Sequence, residues 1–207
     1  MVSNINAFDG DGHVEEWEET FSDKYLDAEF RDRRPVVIET GENERDYKWL
    51  IEGETFRIGG SPSSKSGVVS LEYEKMSKWR GSHESGEFHS AKHRLEVMDA
   101  EDTLISVNYP TLLLQWPVAK DPKLNQALTR SYNNWVADIS SQAPDRLKWV
   151  TVICPSDPEE AAREMIRTQK MGSVGVMVLG DYNEKGLDHP DFEVIWQTAN
   201  DIGMPVN

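Results

Sequence analysis

Apolar and polar positions fall into two textures along the chain, and the change comes near residue 90. Beyond it, short apolar runs alternate with segments of helical period. Residues 91–100 read as a helix with Leu95 and Met98 on one face, and Thr103–Tyr109 reads as a strand closed by Pro110. Leu124, Ala127, Leu128, Trp135, Val136 and Ile139 recur at helical spacing over residues 122–141, behind a first-turn proline. The run Leu147–Cys154 is the next strand. Asp157-Pro158-Glu159-Glu160 opens a helix with a cap, a proline and acids suited to the helix dipole, and Gly172 stops it. Val174–Leu179 is a further strand, and Phe192, Val194, Ile195, Trp196 and Ala199 mark a final helix.

Before residue 90 the pattern is weaker. A short apolar run ends in Phe8-Asp9-Gly10-Asp11-Gly12-His13, and Trp17 and Phe21 punctuate an acidic short helix. Residues 31–80 are polar and irregular apart from a hairpin over residues 47–56. Gly, Ser and Pro over residues 59–67 mark a loop long enough for a lid or binding loop. Strand–helix alternation with near-continuous apolar strands predicts a parallel sheet covered by helices. An eight-fold barrel and an open doubly wound sheet both fit. The glycine-rich phosphate fingerprint is missing after the first strand, which favours the barrel.

The Asp9–His13 string carries the candidate chemistry. In a regular strand, residues two apart share a face, so Asp9, Asp11 and His13 are expected to converge with only glycines between them. Mixed oxygen and nitrogen donors suit a divalent cation. A polar turn with solvated carboxylates is the other reading of the same spacing. Composition narrows the partners. The 207 residues carry a formal net charge of −15, which argues against nucleic acid and against an anionic membrane surface. No apolar run approaches the length of a membrane span, no signal peptide is evident at the N-terminus, and a single cysteine, Cys154, fits a reducing cytoplasm.

Several segments, in order, carry a resemblance to a known family. These are Asp9-Gly10-Asp11-Gly12-His13-Val14-x-Glu16, Arg94–Asp99, Asn108-Tyr109-Pro110-Thr111, Tyr132-Asn133-Asn134-Trp135, Pro144–Leu147, Asp188–Phe192 and Gly203-Met204-Pro205-Val206. Together they resemble the amidohydrolase-related enzymes close to aminocarboxymuconate semialdehyde decarboxylase. The resemblance implies a distorted (β/α)8 barrel of the metal-dependent hydrolase superfamily. It implies one catalytic divalent metal, usually zinc, and a small carboxylated or aromatic substrate. The first strand of the family commonly carries His-x-His. Asp11 stands at the first of those positions and His13 at the second, and the added carboxylate shifts preference toward manganese or magnesium. Glu16 is a further candidate for the metal or substrate site, and Asp9 is expected to orient a ligand from behind. Asn108 and Tyr109, at a strand end, and Trp116, in the next loop, are candidate substrate contacts.

The resemblance further implies that residues 1–207 are the N-terminal part of one barrel domain, with a polar insertion or lid at about residues 31–88. A complete barrel needs about 250 residues. The remaining ligands and the catalytic acid–base groups are expected beyond residue 207. The implied activity is hydrolysis by metal-activated water. The alternatives are non-oxidative decarboxylation, and an inactive remnant or interaction module. An unpaired last strand favours association, and a homo-oligomer is expected of the full-length protein. His89 with His93, His189 and Cys154 are weaker candidates.

Overall fold

A computed structural model describes residues 7–39, 47–57, 90–182 and 184–207. Four strands, β1 (Ala7–His13), β5 (Thr103–Tyr109), β6 (Leu147–Val152) and β7 (Gly175–Met177), form one sheet in the order β1-β5-β6-β7. Every pairing in it is parallel. Spatial order thus follows chain order. The connections run through helices α1 (Ala91–Ala100), α2 (Pro122–Ser140) and α3 (Pro158–Gln169), and α4 (Glu193–Ile202) follows β7.

Local chemistry sets the helix boundaries. Ser90, Asp121 and Asp157 each accept a backbone N–H of the first turn of α1, α2 and α3, at 3.2, 2.9 and 3.0 Å. Pro122 and Pro158 occupy first-turn positions where no N–H is needed. Gly203 ends α4 with φ 63°, a left-handed conformation that glycine adopts at little cost.

Register shows which side of the sheet each residue faces. Asn108 pairs with Trp149 and Thr151 with Val176, and these residues point toward the helices. Thr151 Oγ1 bonds Thr168 of α3 at 2.6 Å, and Val176 packs with Met165, Ile195 and Ala199 of α3 and α4. Val107, Lys148, Val150, Val152, Gly175 and Met177 share the opposite face. Strands wound in one direction with their helices on one side make a segment of barrel wall, which excludes the doubly wound alternative. Residues 205–207 lie along the far side of β7: Val176 N donates to Pro205 O and Asn207 N to Val176 O, both at 2.8 Å.

The described residues before residue 90 carry more regular structure than their texture suggests. Strands β2 (Val36–Glu39), β3 (Tyr47–Ile51) and β4 (Glu54–Arg57) form an antiparallel sheet, so the expected hairpin gains a third strand. The turn between β3 and β4 places Glu52 at φ 48° and Gly53 at φ 81°, the paired left-handed geometry of a tight hairpin. The Glu52 carboxylate accepts Lys120 N at 2.7 Å and Asp121 N at 3.1 Å, which docks the hairpin tip on the start of α2. Trp49, fully buried, meets Phe21 edge-on at 5.6 Å. The acidic helix is a 3₁₀ turn at Glu18–Phe21, and a second spans Ala28–Arg33. A small hairpin of β8 (Asp181–Tyr182) and β9 (Lys185–Gly186) had no forewarning in the pattern. The loop expected at residues 59–67 lies outside the described residues.

Candidate functional site

The end of β1 departs from the regular alternation on which its same-face expectation rested. Asp9 pairs with Ser106 and Gly12 with Asn108, so three steps on β1 match two on β5. This bulge reverses the facing of everything beyond it. Asp9 and Gly12 point toward the helix layer with Ser106 and Asn108, whereas His13 pairs with Tyr109 on the inner face. Asp9 therefore does not converge with His13.

Gly12 is required by space. A Cβ there would lie 2.4 Å from Ser106 Oγ, 2.7 Å from Asp9 Oδ2 and 3.1 Å from the Val107 carbonyl. The volume a side chain would fill belongs to a polar cluster. Ser106 Oγ lies 3.1 Å from Asp9 Oδ2 and 3.2 Å from Asn108 Oδ1, and Arg94 of α1 donates to Ser106 Oγ at 3.1 Å. Asn108 donates its amide to the Lys148 carbonyl at 2.7 Å and is fully buried. Asn108 thus faces away from the inner surface on which a substrate contact was expected. Asp9 Oδ1 accepts the Asp11 N–H at 3.1 Å, so Asp9 acts on the next carboxylate through the backbone.

Asp11, His13 and Tyr109 are brought together. Asp11 Oδ1 stands 3.7 Å from His13 Nε2, and its side chain is 93% exposed, free to move toward a ligand. His13 Nδ1 lies 2.8 Å from the Pro110 carbonyl, an acceptor only, so Nδ1 donates there and Nε2 is the ring nitrogen turned toward Asp11. The Tyr109 ring centre is 6.2 Å from that of His13. Burial, reinforced by the charge of Asp11, pushes the Tyr109 hydroxyl above its ordinary pKa.

Glu16 is held elsewhere. It is 2% exposed, and its carboxylate accepts the N–H groups of Thr111 (3.0 Å), Leu112 (2.8 Å) and Leu113 (3.2 Å). These are the first donors of the 3₁₀ turn Leu112–Gln115, which such a cap completes. Burial raises the Glu16 pKa, and the backbone donors oppose that rise. Nothing in the spacing of Glu15-Glu16 distinguishes this buried cap from an exposed acid.

Trp116 follows the capped turn, buried, with its ring 4.9 Å from that of Tyr182. Together with Val152, Met177, Leu179 and Trp196 these rings line a narrow apolar cleft at the C-terminal ends of β6 and β7. Tyr182 carried no signal in the sequence. A second cleft separates the β3–β4 hairpin from residues 117–122. The weaker candidates have other surroundings. His93 Nδ1 lies 3.9 Å from Glu96, His189 Nδ1 accepts the Asp191 N–H at 3.2 Å, and burial pushes the Cys154 thiol up. His89 lies outside the described residues. Among the described residues, no group of three or more His, Cys, Asp or Glu side chains gathers in metal-holding geometry. Asp11 and His13 are two donors of a suitable kind, fewer than a complete ligand set.

Comparison with known proteins places this geometry in a family. A family model described as amidohydrolase matches residues 99–207, more than half of the chain. An amidohydrolase of Mycobacterium avium subsp. paratuberculosis K-10 superposes over 99% of this chain and 59% of its own, with a TM-score of 0.73 and 18% identity. The 5-carboxyvanillate decarboxylase of Novosphingobium aromaticivorans, solved with manganese and a nitrobenzoic acid, matches over 66% of this chain and 37% of its own, with a TM-score of 0.55 and 22% identity. The 2,6-dihydroxybenzoate decarboxylase from Rhizobium matches over 68% and 43%, with a TM-score of 0.51 and 19% identity. The chain therefore spans well under two thirds of the length of each of these proteins. With a model match over more than half its length and a wall of parallel strands in chain order, the chain belongs to the amidohydrolase family.

Proposed function

We propose that this chain supplies the first-strand half of a divalent-metal site in a hydrolase acting on a small carboxylated or aromatic substrate. The observation that carries the reading is the orientation of the His13 ring. Its Nδ1 is committed to the Pro110 carbonyl, so Nε2 faces Asp11 as a free nitrogen donor. Asp11 and His13 would hold the metal, with Tyr109 beside them. Asp9 orients Asp11 through the backbone, and Trp116 with Tyr182 walls the substrate side. Glu16 and Asn108 serve the scaffold in this reading, because their polar atoms are already engaged.

A bound divalent cation supplies Lewis-acid chemistry: it acidifies water and polarises a substrate oxygen. Zinc suits the imidazole, and manganese suits the carboxylate equally well. The other residues position the substrate and exclude water. We place residues 1–207 in the N-terminal part of a single barrel domain, with about residues 31–88 as a polar insertion or lid region.

A second reading, non-oxidative decarboxylation, draws support from the similar structures. The Novosphingobium and Rhizobium enzymes of this fold are decarboxylases, and the former was solved with manganese. The apolar, aromatic-lined cleft suits an aromatic acid under either reading. The full-length protein separates the two. Carbon dioxide released from hydroxybenzoic acids supports decarboxylation, whereas turnover of amides or lactones without carbon dioxide supports hydrolysis. Metal content unchanged in the Asp11→Ala, His13→Ala double variant contradicts both.

A further inference from the structure

The ends of β1 and β5 are laced together by hydrogen bonds running both ways. Val14 N donates to the Tyr109 carbonyl at 2.9 Å, and Thr111 Oγ1 donates to the Val14 carbonyl at 2.7 Å. One peptide group stands between two side chains in this lacing. The Pro110 carbonyl and the Thr111 N–H belong to the same planar amide, and in a trans peptide they point in opposite directions. The carbonyl accepts from His13 Nδ1 at 2.8 Å, and the N–H donates to Glu16 Oε2 at 3.0 Å. Glu16 and His13 thus address the two ends of one amide dipole.

We propose that Glu16 is a positioning residue for His13, acting through the Pro110–Thr111 peptide as a carboxylate–peptide–imidazole relay. A buried carboxyl group that accepts the amide N–H draws the peptide dipole into line and makes its carbonyl oxygen a stronger acceptor. Chains of hydrogen bonds strengthen one another in this way by about 10–30% per bond. The ring is thereby held with Nδ1 donating to the Pro110 carbonyl and Nε2 directed to the side where Asp11 stands. Metal-binding histidines commonly give their second N–H directly to a carboxylate. Here the carboxylate sits one peptide further back, held by three backbone donors that oppose the upward push of burial on its pKa.

The importance of the relay for metal binding rests on His13 being a ligand, whereas its effect on the ring does not. A purely structural role for Glu16, capping the turn at Leu112–Gln115, predicts lost stability with no change in the His13 tautomer. Nitrogen NMR of the metal-free 207-residue chain, labelled at histidine and taken above the imidazole titration, distinguishes the two. Wild-type His13 is expected to carry its proton on Nδ1. In Glu16→Gln, which keeps the shape and loses the charge, the ring is expected to become a mixture of tautomers. The Thr111 amide proton should move upfield, and in the full-length protein metal affinity should fall by about 10- to 100-fold. Thr111→Ala removes the hydroxyl bond to Val14 but leaves the relay, so it should loosen the same loop with no change of tautomer.

A wild-type ring protonated on Nε2, or a folded Glu16→Gln with an unaltered tautomer, overturns the relay. The wild type also carries its own test should Glu16→Gln not fold. A scalar coupling is expected between the Thr111 amide nitrogen and the Glu16 side-chain carboxyl carbon, and its absence overturns the proposal. If the Nδ1–H tautomer and the coupling are found while metal content of the full-length protein is unchanged in the Asp11→Ala, His13→Ala double variant, the relay stands and the metal reading fails.

Discussion

Replacing Gly12 by alanine tests the bulge that orients His13. A Cβ at position 12 would stand 2.4 Å from Ser106 Oγ and 2.7 Å from Asp9 Oδ2, where optimal contacts lie at about 3.5–4.0 Å. Ser106 is fully buried and bonded to Arg94, so it cannot swing away without losing that partner. Overpacking costs about 1–3 kcal/mol, and a lost buried hydrogen bond adds about 1 kcal/mol. Gly12→Ala is therefore expected to cost about 2–4 kcal/mol. In urea unfolding followed by tryptophan fluorescence, that loss lowers the midpoint by about 1–2 M. Gly10→Ala is the matched control, because its Cβ would meet only the Phe8 ring, at 3.6 and 3.9 Å. That substitution should be neutral or slightly stabilising, since it narrows the unfolded ensemble. If Gly12→Ala lies within about 0.5 kcal/mol of wild type, a range usual for substitutions away from such features, or if Gly10→Ala is equally damaging, the argument from close approach is wrong.

Two further outcomes follow from buried groups. Glu164 accepts from Arg167 at 2.6 Å and Asn133 at 2.8 Å. Burial pushes its pKa up, but these donors outweigh burial and leave it below the ordinary 4.5. The unfolded chain then holds this proton more tightly, so the contribution of Glu164 is present above pH 4.5 and lost as pH falls through the lowered value. Urea midpoints measured from neutral to acid pH should decline less steeply in Glu164→Gln than in wild type; parallel declines would contradict the assignment. The Tyr132 hydroxyl is buried with no hydrogen-bond partner among the described residues, so Tyr132→Phe is expected to be neutral or stabilising. A midpoint loss worth more than about 1 kcal/mol, the usual net value of a hydrogen bond, would show that the hydroxyl is bonded.

The repeating half of the chain was legible because its periodicities are long and its punctuation is chemical. Asp121-Pro122 and Asp157-Pro158 announce α2 and α3, and Thr103–Tyr109 is a strand with the expected ends. The candidate site was legible only in part. Alternation assumes a regular strand, and a single extra residue between Asp9 and Gly12 turns Asp9 to the helix side. That bulge follows from the space beside Ser106, contributed by a strand nearly a hundred residues away, which local sequence does not record. For the same reason Asn108 faced the wrong way in the expectation, and Glu16 looked like one acid among several. Its donors come from residues 111–113, brought to it only by the pairing of β1 with β5. Strand β2 was missed because four residues of an edge strand leave too little pattern.

In the proposed function, Asp11 and His13 make a cation site at the inner-face end of β1. Titrating the isotopically labelled chain with manganese and following paramagnetic broadening tests it most directly. Broadening is expected to centre on Asp11, His13 and Tyr109, with Asp9 and Ser106 less affected, and to be lost in the Asp11→Ala, His13→Ala double variant. Broadening centred elsewhere, or undiminished in the double variant, would contradict the account.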